Sequence, residues 1–195
     1  MKLLKGTALI LAFVSCNASA AYSVGLRLGM VEQELSVDPV SSKQTDFSYG
    51  LEISDLKYVD YNFSWGWALS ADYSDVSHGN LGDVSTIDVM AGPLFSYRIA
   101  SVKAEYCNCK FRRVHDGISV FIKPQVNYWS SDFGNDSESD LDFAYSAGFK
   151  YQDSNNYAVS LEYQNVSREV TLNRSTNSKV DISDDRVILS LGYRF

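Results

Sequence analysis

Beyond its first twenty residues, the 195-residue sequence lacks any apolar run long enough for a membrane-spanning helix, which takes about 20 residues. If the chain enters a membrane, it enters as strands. Basic residues are also in short supply. The 17 Lys and Arg face 24 Asp and Glu, a formal charge of −7, and that balance argues against a nucleic-acid partner. Cysteine and histidine are scarce, at three and two residues, and their spacing matches no standard zinc pattern. The length predicts one domain.

What is present begins with a leader. "MKLLKGTALILAFVSCNASA" has Lys2 and Lys5, an apolar run from Ala8 to Val14 and the small residues Ala18, Ser19 and Ala20. This is the pattern of a secretory signal cut before Ala21, so residues 1–20 are expected to be removed and 21–195 to form the mature domain. Acylation at Cys16 is the weaker reading, because Phe13-Val14-Ser15 before it fits a lipoprotein signal poorly. Losing the two lysines leaves 15 basic and 24 acidic residues, a charge of −9.

The other end is unusual too. "VILSLGYRF" (187–195) alternates apolar and polar residues and stops on Phe195, whereas ordinary termini are loose and polar. Val187, Leu189, Leu191, Tyr193 and Phe195 share one face; Ile188, Ser190, Gly192 and Arg194 share the other. The same two-residue rhythm recurs in Tyr22 to Met30, Phe47 to Ile53, Phe63 to Tyr73, Ile87 to Ile99, Ile118 to Tyr128, Phe143 to Tyr151 and Tyr157 to Tyr163.

Eight such segments, each near the ~9–11 residues that cross a bilayer at a tilt, predict an all-β, eight-stranded antiparallel up-and-down transmembrane β-barrel. The polar faces are rich in Gly and Ser, which suit a narrow lumen, and the aromatic residues gather at strand ends, as interface girdles require. Tyr22, Phe63, Trp65, Tyr97, Tyr151, Tyr157, Tyr193 and Phe195 are expected at the inner rim, and Tyr49, Tyr73, Tyr128 and Tyr145 at the outer one. An even strand count places both termini in the periplasm, so Phe195 meets lipid at the inner interface.

Four stretches carry a family resemblance: "MAGPLFSYRI" (90–99), "FAYSAGFKYQDSNNYAVSLEYQNV" (143–166), "VILSLGYRF" and, more loosely, "WGWALSADYS" (65–74). In order and spacing they resemble the Ail/OmpX/Lom family of small enterobacterial outer-membrane barrels. That resemblance implies a filled interior in a Gram-negative outer membrane and exposed loops serving adhesion, host-cell invasion, serum resistance or envelope upkeep. Strand five, "ISVFIKPQVNYW", and the long link before it depart from the family pattern.

The polar faces supply Arg27, Arg98, Lys123, Lys150 and Arg194 against Glu52, Asp72, Asp88 and Glu162. Charges at bilayer depth need partners, so these nine predict a salt-bridged plug; the sharper alternative is a narrow ion path, though eight strands are too tight for a porin. Outer loops are expected at roughly 31–46, 74–86, 129–142 and 167–185. Asp132, Asp136, Glu138, Asp140 and Asp142 make the third acidic: a solvated face, an acidic contact surface or a divalent-cation site, although no EF-hand spacing is present. In the fourth, Arg168, Arg174 and Lys179 are candidates for lipopolysaccharide phosphates.

Cys107 and Cys109 fall in the oxidising periplasm, where a bridge across one residue would be strained; metal binding with His115 is the other reading. Some small barrels are lipid A- or phospholipid-modifying enzymes that use His beside Ser with a carboxylate nearby. His78, next to Ser77 and near Asp75, is the one candidate expected outside. The favoured expectation is a non-enzymatic, cofactor-free monomer in outer-membrane lipid and lipopolysaccharide whose loops contact host surface or matrix proteins; an enzyme at His78 and a purely structural envelope protein are the alternatives.

Overall fold

A computed structural model describes residues 22–37, 40–59, 62–79, 82–101, 117–133, 137–153, 155–172 and 178–195. The leader, Cys107, Cys109, His115, Asp136 and Arg174 lie outside the described residues. Eight strands follow one another: β1 (Tyr22–Val37), β2 (Val40–Tyr58), β3 (Phe63–Ser77), β4 (Asp83–Ala100), β5 (Gly117–Asp132), β6 (Ser137–Gln152), β7 (Tyr157–Leu172) and β8 (Ser178–Arg194). Each pairs antiparallel with the next, and β8 returns to β1 from Ser23↔Arg194 to Val37↔Val180, closing the barrel.

Within the lower two thirds, every predicted apolar face points outward. Leu26, Phe47 and Phe143 are 62%, 73% and 82% exposed, whereas Arg27, Ser70, Asp72 and Ser146 are buried inside. A sheet with that polarity is stable only in hydrocarbon, because water would meet a continuous wall of Leu, Val, Phe and Tyr. The inner rim carries ring contacts that anchor it: Tyr157 to Tyr193 at 5.3 Å, Tyr193 to Phe195 at 5.1 Å and Tyr22 to Trp67 at 6.1 Å between centroids. Phe195 also donates its backbone N–H to the Tyr22 carbonyl at 2.9 Å, so the last residue is tied into the rim.

The upper edge of the apolar wall is a ring of neighbours across the ladders: Met30 beside Phe47, Tyr49 beside Tyr73, Tyr73 beside Ile87, Tyr128 beside Leu141 and Tyr163 beside Val187. Above it the polarity inverts. Outward positions become Glu32, Glu34, Asp75, Asp181 and Asp185, and inward ones become Val31, Leu35, Val76, Val84, Val166, Val180 and Ile182, each nearly inaccessible. The outer part of the barrel thus turns a charged face to water around an interior in which these apolar side chains are interleaved with buried polar ones such as Gln33, Arg168, Asp184 and Arg186.

This inversion corrects the expected loops. Most of 31–46, 74–86, 129–142 and 167–185 is strand, and the connections between described strands shrink to 38–39, 78–82, 133–136 and 173–177. An alternation search that tracks apolar outward residues loses the strands where those residues turn polar, although the backbone ladders continue. The inner link expected at 54–62 shrinks in the same way, since β2 runs on to Tyr58 and β3 begins at Phe63, while the one expected at 152–156 lies between Gln152 and Tyr157.

The β4–β5 ladder passes from Ala91↔Val126 to Phe95↔Ile122, with a further register shift between Arg98 and Ala100. That register sets Pro93 opposite Pro124, and neither has an N–H to donate. Gly92 holds the two strands together there, since a Cβ on it would run into the Pro124 carbonyl oxygen.

Candidate functional site

Two ion clusters fill the lumen. In the lower one, Arg27 donates through Nε to Asp72 Oδ1 (2.9 Å) and through Nη1 to Glu52 Oε2 (2.8 Å) and Glu162 Oε2 (3.3 Å). Lys123 Nζ reaches the same two glutamates at 2.6 and 2.7 Å. Gly50 makes room for this: a Cβ there would collide with the Asp72 carboxylate. Five of the nine predicted interior charges, Arg27, Glu52, Asp72, Lys123 and Glu162, therefore meet in one network. Lys150 stands below it, near Glu52, while Arg98 and Arg194 lie at the inner rim and take other partners.

Asp88 belongs to the second cluster, with partners that alternation over the apolar segments missed. Arg168 Nη2 donates to both Asp88 oxygens at 2.7 and 2.8 Å, Asn127 Nδ2 donates to Oδ1 at 2.8 Å, and Arg186 joins through Nη2. Asp184 takes the same Arg168 and Arg186 nitrogens. Arg168 is 2% exposed and lies over the Trp129 ring at 5.9 Å, so the expectation that it contacts lipopolysaccharide is overturned. Residues 184, 186 and 168 share the parity of 188, 190 and 164. Extending the inward face by two to four residues would have found all three.

Apolar side chains bound these clusters at both ends. Ala68, Leu94 and Phe121, with Leu56, pack below, and Leu35, Trp129, Val180 and Ile182, with Phe133, pack above. Several buried guanidinium nitrogens of Arg27, Arg168 and Arg186 meet no acceptor among the described residues; in native proteins such groups are served by ordered water. The lumen is thus polar inside and blocked at both ends.

His78 departs from its expected place. It lies inside the outer mouth, 4% exposed, and its ring nitrogens meet Gln33 and Ser42 in place of Ser77 and Asp75. Gln33 Nε2 donates to Asp184 Oδ1 at 2.9 Å, which turns Gln33 Oε1 toward His78 Nε2, also at 2.9 Å. A carbonyl oxygen accepts, so Nε2 carries the proton and Nδ1 is left to accept from the Ser42 hydroxyl at 3.2 Å. Burial holds the imidazole below its ordinary value, against a smaller opposing pull from Asp184.

Asp132 faces outward and is exposed, whereas Glu138, Asp140 and Asp142 share the inward parity of Ala144 and Ser146: Glu138 is half-buried, Asp140 is exposed at the mouth, and Asp142 accepts a hydrogen bond from the Trp129 indole at 2.9 Å. Lys179 lies in β8 opposite Thr171. Lys43 pairs with Glu32 at 2.7 Å in the open, where solvent screens the contact. Asp185 accepts from the Tyr163 hydroxyl and from Asn165 Nδ2, and these bonds lower its carboxyl below the ordinary range. Among the described residues, no group of three or more His, Cys, Asp or Glu is placed to hold a metal ion.

A family model described as outer membrane protein beta-barrel domain matches residues 7–195. No curated protein sequence matches significantly. Among solved structures, the chain is similar to the Neisserial surface protein A, at 10% identity and a TM-score of 0.59 over 88% of this chain and 97% of that one. It is similar to the outer membrane protein AlkL in lipid bilayers, at 15% identity and 0.51 over 90% of each chain. The attachment invasion locus protein Ail of Yersinia pestis, solved with a heparin analogue, aligns at 14% identity and 0.48 over 90% of this chain and 99% of that one.

Proposed function

The chain belongs to the outer-membrane-protein β-barrel family, and from that premise we propose that it is a monomeric, non-enzymatic surface protein whose outer extension binds partners outside the cell. The observation that supports this reading is the pairing of a blocked lumen with strands that continue beyond the apolar wall. A barrel bounded by apolar clusters at both ends has no path for solutes, so its distinctive surface is the outer collar. That collar exposes Glu34, Asp75, Asp83, Asp132, Asp140 and Asp181. Its partner is then a basic patch on a host surface or matrix protein, recognised by charge complementarity, and contact with lipopolysaccharide phosphates would run through bridging divalent cations.

The test is binding of the protein in nanodiscs to immobilised matrix proteins. Replacing Glu34, Asp75, Asp132 and Asp181 together by their amides should weaken binding at least tenfold and flatten its salt dependence, with heat-modifiable gel migration retained. Binding that is unchanged by these replacements, or no greater than that of empty nanodiscs, refutes the proposal.

A second reading rests on one specific observation, the Ser42–His78–Gln33–Asp184 chain, in which a neutral imidazole nitrogen faces a serine hydroxyl as a general base would. Under that reading the protein modifies lipid A or phospholipid. His78→Ala or Ser42→Ala would then change the lipid composition of cells making the protein. Unaltered lipids in both variants eliminate it.

A further inference from the structure

Near the inner end of the lumen lies a cavity of about 40 Å³ lined by Lys150, Lys123, Glu52 and the serines 23, 54, 96, 160 and 190. A smaller one of about 10 Å³, lined by Lys150, Arg98, Ser119 and Gln152 among others, adjoins it through Leu56, Ser96 and Lys150. We propose that this paired cavity is a binding site for a small oxyanion, a phosphate or carboxylate group, held by Lys150.

The argument is an inventory of hydrogen-bonding capacity. Glu52, the one carboxylate among the described residues that line the cavities, already accepts from Arg27 and Lys123 through Oε2. Lys123 in turn is committed to Glu52 and Glu162. Lys150 has no hydrogen bond or ion pair at contact distance among the described residues and takes part only in longer-range electrostatics. Two more wall groups are at least nine-tenths buried and without a partner: the Gln152 side-chain nitrogen and the Ser190 hydroxyl. The unmatched wall therefore consists of an ammonium, an amide N–H₂ and the Ser190 hydroxyl, which is a donor set suited to an anion. A cation would find only a carboxylate already engaged. The space fits such a group as well: by the same measure one water needs about 10–15 Å³, so the two adjoining cavities of about 40 and 10 Å³ admit roughly four heavy atoms, the size of acetate or of a phosphoryl group whose remaining oxygen points to the inner opening.

The experiment uses the full mature chain, isotope-labelled and refolded in a phosphate-free detergent, titrated with sodium phosphate or sodium acetate at constant ionic strength. Saturable amide shifts are expected at Gln152, Ser160 and Ser190. Lys150→Met should weaken the apparent affinity at least tenfold, and Gln152→Ala severalfold, whereas Lys43→Met, at the outer surface, should change nothing. Should Lys150→Met fail to refold, Gln152→Ala decides, because it retains the charge and removes one donor. A second arm places the protein in phosphatidylglycerol nanodiscs without free phosphate. Shifts already at their saturated positions identify a lipid headgroup as the source, and shifts that await added phosphate identify a soluble anion. Linear shifts without saturation in the wild type, or equal affinity in both cavity variants, overturn the proposal.

Discussion

Leu26→Arg should destabilise the folded barrel by about 2–4 kcal/mol, the cost of a basic side chain at the bilayer midplane of such a barrel. The depth follows from the strand itself. Outward residues of β1 run from Tyr22 to Met30, roughly 26 Å at ~3.3 Å per residue, or about 20 Å along the membrane normal at a ~40° tilt, and Leu26 sits midway. The loss corresponds to a factor of roughly 30–700 in the folding equilibrium. Two further changes on the same strand serve as controls. Glu34→Arg also puts an arginine on the outward face, but above the apolar wall, and should stay within about 0.5 kcal/mol of wild type. Leu35→Ala removes a side chain packed on Trp129, Val180 and Ile182 and should cost about 2–5 kcal/mol, although it lies outside the membrane. Reversible urea unfolding in phospholipid vesicles, followed by tryptophan fluorescence, measures all three. If Leu26→Arg is as harmless as Glu34→Arg, the Leu- and Tyr-rich face does not meet hydrocarbon, and the membrane assignment of this face fails with it.

Asp88→Asn leaves Arg168 and Arg186 sharing only Asp184, and stripping one partner from a buried ion cluster costs about 3–5 kcal/mol; a clear drop in the midpoint of heat-modifiable gel migration is expected, and an unshifted midpoint contradicts the cluster. The His78 ring should titrate below its ordinary value near 6.5. Because the unfolded imidazole then binds its proton first, stability should fall as pH drops from about 6.5 toward the lower folded value and stay flat above it; ring NMR and unfolding midpoints across that range check the sign. The Asp185 carboxyl should titrate below 3.8, its stabilisation being present above that value and lost as pH falls through the lower folded one; Tyr163→Phe should move it back up, as carboxyl carbon shifts would show. In planar bilayers the wild-type protein should give no steady conductance, and a persistent open level would count against the blocked lumen.

Inside the apolar wall, sequence and structure agree residue by residue. A regular strand's side chains alternate, so once Leu26 is outward, Arg27 must be inward, and all eight faces follow from that rule up to the irregularity at Arg98 to Ala100. The same rule held above the wall, but its signal there was reversed. Arg168 reads as a surface group because nothing in "NVSREV" advertises a membrane, yet its parity with Glu162 and Gln164 already points it into the barrel. His78 was harder. Its neighbours in space, Ser42 and Gln33, lie 36 and 45 residues away, and no local pattern announces them.

What the sequence by itself determined was which face of each strand is outward, the strand count and the aromatic inner rim, because these depend only on period-two geometry and on the solvent each face must meet. Only the tertiary structure decided the pairing of charges. Which carboxylate Arg27 or Arg186 meets depends on the register between strands up to four places apart around a closed barrel, and that register is set by every ladder together rather than by any one segment. The height of the barrel was decided the same way. Hydrogen-bonded ladders propagate past the membrane wherever an apolar interior can still be packed behind them, whatever the outward residues happen to be.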